Sequence, residues 1–136
     1  MIMAAYLLDT SVLIDLLRQK GEAADFIAKH PQDIFMTSCI CQMEIFLGLY
    51  LGKPEILQSK KEEAQKLLSS LYEVKSFDSE QAEIASQIKT KLMKKGELID
   101  DLDILIAACS ISYRATILTK NAKHFSRVLG LLLKEF

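Results

Sequence analysis

Three acids stand where a carboxylate is costly to keep. Asp9 follows the apolar run Tyr6–Leu8 directly, Glu44 is the only charge in Ile40–Tyr50, and Asp103 immediately precedes the apolar stretch Ile104–Ala108. An ionised carboxylate withdrawn from water is penalised heavily unless something compensates its charge. Few cations lie beside these three in the sequence. A hard divalent ion would answer for all of them, because Mg²⁺ or Mn²⁺ takes carboxylate oxygens at about 2.0–2.1 Å and keeps waters for a substrate. Such a centre can activate a bound water and stabilise charge developing on an oxygen.

Each acid also has an ordinary structural use. Asp9 can cap the helix after its strand, Asp100 or Asp101 can cap a helix beginning near Leu102, and Asp103 in the first turn can complement the helix dipole. Glu44 is harder to explain this way, since a lone Glu in an apolar mid-helix position has no such use. Other chemistries find little support. His30 and His124 each stand beside a Lys in polar surroundings and are expected to be exposed. There is no G-x-S-x-G elbow, Walker A loop or G-x-G-x-x-G. Cys39, Cys41 and Cys109 have no neighbouring His to activate them. Their odd number and apolar settings point to buried free thiols, and the tight Cys39–Cys41 spacing does not suit zinc.

The elements that must position the acids alternate between strand and helix. Tyr6–Leu8 is a short strand, and Thr10-Ser11 can cap a helix over Val12–Arg18. Glu22–Lys29 forms a second helix, stopped before Pro31. Ile34–Thr37 is a strand; Ser38 caps an apolar helix from Ile40 to about Leu51, closed by Gly52-Lys53-Pro54. Pro54 to about Ser70 is amphipathic, with Leu57, Ala64, Leu67, Leu68 and Leu71 on one face. Tyr72–Phe77 alternates as a strand does. Asp78-Ser79 then caps Glu80–Lys95, with Gly96 at its end. Leu102–Arg114 is helical, Ala115–Thr119 a strand, Ala122–Arg127 a short helix or turn, and Leu131–Lys134 a last strand. Alternation of this kind predicts an α/β fold, a three-layer α/β/α sandwich around a five-stranded, mostly parallel sheet. Sites in such sheets lie beyond the carboxyl ends of the strands, where strand order reverses. Chemistry is therefore expected just after strands, at Asp9, from Ser38 onward, and at Lys120-Asn121.

The bulk numbers agree with one domain over residues 1–136. Half of the residues are hydrophobic, 26% are charged, and Gly and Pro total only 5 and 2, a globular composition. No apolar run approaches the ~20 residues that cross a bilayer, and the N-terminal residues lack the basic start of a signal peptide. A cytoplasmic protein is expected. The net charge of −1 does not by itself advertise nucleic-acid binding, so a locally basic rim would have to supply it. The helices Ile40–Leu51 and Pro54–Leu71 carry more Leu, Ile, Phe and Tyr than one small sheet needs. A partner groove and a homodimer face are expected there.

The segment LLDTSVLIDLL, Leu7–Leu17, resembles the opening motif of PIN domains, in which the strand-end Asp is a metal ligand followed by Thr or Ser. SCICQMEIFLGL, Ser38–Leu49, resembles the second motif, with Glu44 as its acid and Gly48 four residues on. DLDILIAACSI, Asp101–Ile111, is similar to the third, and ATILTKNAKHFSRVLGL, Ala115–Leu131, to the closing strand and loop of VapC-type toxins. The motifs occur in the family's order and span nearly the whole chain. The resemblance implies a Mg²⁺- or Mn²⁺-dependent endoribonuclease, the toxin of a toxin–antitoxin pair, with Asp9, Glu44 and Asp103 as catalytic metal ligands. Thr10, Ser11 and Asn121 would hold a ligand or phosphate oxygen, and Lys120, Lys123 and Arg127 would meet RNA phosphates. Asn121 stands where other PIN domains carry a fourth acid. Asp101 is a substitute candidate, although on one helix it lies about 200° from Asp103. The implied partners are RNA, a VapB-like antitoxin whose Arg could compete with the metal, and a second copy of the chain. A PIN nuclease of RNA processing and a non-cutting PIN-fold binding module are the alternatives.

Overall fold

The computed structural model describes residues 3–136; Met1 and Ile2, the first two residues of the expected domain, lie outside the described residues. The elements in order are β1 (Ala5–Leu8), α1 (Thr10–Leu17), α2 (Ala23–Ala28), β2 (Ile34–Ser38), α3 (Cys39–Tyr50), α4 (Leu57–Ser70), β3 (Glu73–Lys75), α5 (Ser79–Lys95), α6 (Asp101–Ser112), β4 (Thr116–Thr119), α7 (Ala122–Phe125) and β5 (Leu132–Glu135). The strands form one sheet in the order β3-β2-β1-β4-β5. Every described pairing is parallel, where a mostly parallel sheet was expected.

Parallel strands need crossovers, and right-handed crossovers decide the layers. The chain moves from β1 through β2 to β3 in one direction, which sends α1–α4 to one face. The long return to β4 carries α5 and α6 over the other, where those two helices pack on each other. The result is the three-layer α/β/α sandwich. Covered on both faces, the central strands carry apolar runs without alternation: Leu7, Leu8, Ile117 and Leu118 are fully buried. Their polar neighbours are satisfied locally, as in Thr37, whose hydroxyl donates to the Leu8 carbonyl at 2.7 Å. Among the described residues no helix is long and apolar enough to cross a membrane.

Two boundaries moved for identifiable reasons. The strand expected over Tyr72–Phe77 is only Glu73–Lys75, because its ladder runs opposite Met36–Ser38 and β2 then turns into α3. Helix α6 begins at Asp101 and ends at Ser112, short of the expected Arg114, which lies in the left-handed region at φ 52°. Gly96 closes α5 at φ 66° as expected. The strand order reverses between β1 and β4, so the crevice at their carboxyl ends receives Asp9 from one strand and Thr119-Lys120 from the other.

Candidate active site

Asp9 sits at the N-terminus of α1 yet makes no side-chain capping bond there. Helix α1 instead starts at Thr10, and the hydroxyls expected to cap it serve the acids. Ser11 Oγ and Thr119 Oγ1 donate to Asp9 Oδ2 at 2.9 and 2.8 Å. Thr10 Oγ1 donates to Glu44 Oε1 at 2.7 Å, joining the start of α1 to the middle of α3. Asp9 is only 4% exposed. A carboxylate buried to that degree, held by two hydroxyls and unused as a cap, is oriented for something other than local helix structure.

Glu44 and Asp103 are half-buried. Burial raises the pKa of each above the ordinary carboxylate range. The Thr10 hydrogen bond opposes this at Glu44 and the His124 hydrogen bond at Asp103, while the charge of Asp9 adds to both rises. The charge of Asp103 also acts on Glu44. The three acids thus share one edge of the sheet and feel one another. Among the described residues no Lys or Arg forms an ion pair with any of them. Nor does any group of three His, Cys, Asp or Glu side chains there stand at a spacing that already encloses an ion. Glu44 is turned to Thr10, and Asp103 Oδ2 to His124 Nδ1 at 3.1 Å. The donor set suits a hard divalent cation: oxygen only, negative, partly desolvated and, among the described residues, paired with no Lys or Arg.

Asp101 corrects the expectation attached to it. It is the first residue of α6, 69% exposed, and its Oδ1 pairs with Lys89 on α5 at 3.0 Å. The helical offset from Asp103 turns it out of the crevice. Asp101→Asn is expected to leave stability within about 1 kcal/mol of wild type, as for an exposed ion pair; a thermal melt checks it. Asp100 is nearer, since its charge raises both Glu44 and Asp103. It occupies the N-cap position of α6 without making a side-chain cap bond, which no sequence signal separates from an ordinary cap.

The basic residues are differently placed. Lys120 Nζ pairs with Asp15, and Arg127 Nη1 donates to the Leu98 carbonyl at 3.2 Å. Lys123 and Asn121 are exposed on the segment after β4, with the Asn121 N–H donating to Thr119 Oγ1 at 2.9 Å. His124 is exposed, as expected, and is also bonded to Asp103, a contact that separation in sequence hides. His30 stacks on Phe26 and is only partly exposed, away from the expected polar setting. Burial pushes the Cys41 thiol up to about 12 and Cys109 to about 11, which leaves neither as a thiolate nucleophile. Cys39 is free but only partly buried.

Glu44 gives the site a pH signature. An acid whose pKa is raised by folding loses stability as pH climbs from its unfolded value through its folded one, since only the charged form is penalised. In metal-free protein, Glu44→Gln should therefore match wild type at acid pH and become the more stable of the two towards neutrality. Thermal melts across that range measure the gap, and a gap independent of pH would contradict it.

Comparisons with known proteins agree with this architecture. The PIN-domain profile matches residues 6–131. A relative named Ribonuclease VapC1, from Methanocaldococcus jannaschii, is 34% identical over 96% of this chain and 82% of its own. A solved structure of DNA-bound VapBC from Salmonella typhimurium superposes with a TM-score of 0.87 at 22% identity, covering 98% of both chains. VapBC-5 from Mycobacterium tuberculosis, a member of the VapBC family of toxin–antitoxin systems, superposes with a TM-score of 0.73 at 19% identity, also over 98% of both.

Proposed function

This chain belongs to the PIN-domain family, and from that premise we propose that it is a divalent-metal-dependent endoribonuclease, the toxin of a toxin–antitoxin pair. The observation that carries the proposal is that Asp9, Glu44 and Asp103 are partly or fully buried near the β1/β4 switch point, close enough for their charges to act on one another, while among the described residues none of them pairs with a Lys or Arg. Asp9, Glu44 and Asp103 would hold Mg²⁺ or Mn²⁺. When bound, the ion supplies Lewis-acid stabilisation of a phosphodiester and lowers the pKa of an attacking water.

The chain's own groups do the rest. Ser11 and Thr119 hold the Asp9 carboxylate in one orientation, so that little reorganisation is left at the moment of reaction. Thr10 keeps Glu44 turned towards α1 and the crevice. Asn121 offers an amide to a phosphate oxygen at the position where a fourth acid would repel it. Lys123, exposed on α7, offers an ammonium to the RNA backbone, and Arg127 can follow if RNA displaces it from Leu98. Cleavage leaves a 5′-phosphate and a 3′-hydroxyl, and the enzyme acts in the cytoplasm.

The relatives named for VapBC support an antitoxin as partner. A groove of about 320 Å³ between α1, α3 and α4 is lined by Ile14, Leu17, Leu49 and Leu57 and reaches Glu44. An amphipathic antitoxin segment would fill it and bring a basic side chain to the acids in place of the metal. Leu47, Tyr50 and Leu51 are exposed on and just after α3, an apolar strip that a second copy would cover in a homodimer.

The test is metal removal. Cleavage of a single-stranded RNA should vanish in EDTA and return on adding excess Mg²⁺ or Mn²⁺. Cutting that persists at full rate in EDTA would reject the proposal.

A further inference from the structure

The acid within α1, Asp15, has no part in the reading above. Asp15 lies six residues beyond Asp9, is 6% exposed, and forms an ion pair with Lys120. The ammonium reaches both carboxylate oxygens, at 3.0 and 3.2 Å. Behind the carboxylate the chain doubles back through Gly21, at φ +81°, where an added Cβ would stand 2.6 Å from Asp15 Oδ2. The carboxylate is therefore confined by the Lys120 ammonium and by the close approach of the Gly21 backbone.

Lys120 is the first residue after β4, so its main chain belongs to the crevice. Its N–H donates to Ser11 Oγ at 3.0 Å, and that hydroxyl donates to Asp9 Oδ2 at 2.9 Å. Ser11 and Asp15 are four residues apart and share one face of α1. Lys120 thus grips that face at two points, with its amide on Ser11 and its ammonium on Asp15.

We infer that Asp15 is a positioning residue for the acidic site: through Lys120 it clamps the segment after β4 onto α1, and so holds the Ser11 hydroxyl on Asp9. The inference rests on the ribonuclease reading for its kinetic consequence, but not for the clamp itself. It also gives Lys120 a role other than direct contact with RNA. A direct contact would strengthen binding of RNA, whereas a clamp acts on the arrangement of the acids and hence on turnover.

The experiment compares Asp15→Asn, Lys120→Met, Lys120→Arg and the Asp15→Asn/Lys120→Met pair, each as the full chain. A single-stranded RNA in excess Mg²⁺ serves as substrate, and exchange of the Lys120 amide is followed by NMR. Asp15→Asn and Lys120→Met should each lower kcat about tenfold, as residues supporting a metal ligand do, with KM nearly unchanged. The double variant should fall no further than the worse single one, because both cut the same link. Lys120→Arg should keep most of the activity, and the Lys120 amide should exchange faster in Asp15→Asn. Should Asp15→Asn fail to fold, Lys120→Met carries both readouts through the Ser11–Asp9 link, since the Lys120 side chain is 44% exposed. A raised KM with kcat intact in Lys120→Met would overturn the inference, as would an unchanged amide exchange rate. If wild-type protein cuts no RNA, the ribonuclease reading fails by itself and amide exchange still decides the clamp.

Discussion

Asp103→Asn is expected to leave a folded protein that no longer cuts RNA, with single-turnover cleavage down by at least about a thousandfold, or about 4 kcal/mol of transition-state stabilisation. Asp9→Asn should do the same. Each change removes a negative charge but little volume, and Asn can still accept the hydrogen bonds that the carboxylate now receives, from Ser11 and Thr119 at Asp9 and from His124 at Asp103. Stability should not fall. With one fewer like charge at the crevice, the metal-free variants should melt at or above the wild-type temperature, while losing the stabilisation that excess Mg²⁺ brings by binding the folded state alone. Activity down with Tm up is a combination that damage to the core cannot produce. Undiminished cleavage by Asp103→Asn in magnesium would end the role assigned to it.

The largest loss of stability is expected at Phe125. It is 1% exposed, the largest of the fully buried side chains, and it sits on the four-residue helix α7. So short a helix has no stability of its own and stands only because its apolar residue is anchored in the core. Phe125→Ala removes a ring and leaves a cavity, at a cost of about 3–5 kcal/mol. That is a large share of the ~5–15 kcal/mol that holds a typical domain together. Urea denaturation should show the midpoint falling sharply with an unchanged slope. Because Lys120–His124 hangs between β4 and this anchor, cleavage should fall even at temperatures where the variant is still folded. Met93→Ala, at a position 59% exposed on α5, serves as the control and should move stability by less than about 0.5 kcal/mol.

Local chemistry made the elements legible. The apolar runs at Tyr6–Leu8 and Ala115–Thr119 marked the buried strands, and turn and cap residues such as Ser38, Asp78 and Gly96 marked helix ends, because these signals act within a few residues of chain. The burdened acids were legible for the same reason, since Asp9, Glu44 and Asp103 each interrupt apolar sequence. The motif order carried the family. What sequence spacing could not rank was which groups face each other.

Only the tertiary structure decided that the Asp9 carboxylate is held by hydroxyls rather than spent on a cap. It turned Asp101 outward to Lys89 while Asp100 stayed near the acids, a matter of one residue of helical phase. It also put His124 on Asp103 and Lys120 on Asp15, pairs separated by 21 and 105 residues. Propensity and periodicity report on neighbours along the chain, whereas a site's electrostatics depend on neighbours in space. The parallel pairing of β1 with β4 at the centre of the sheet is what makes distant residues into neighbours here.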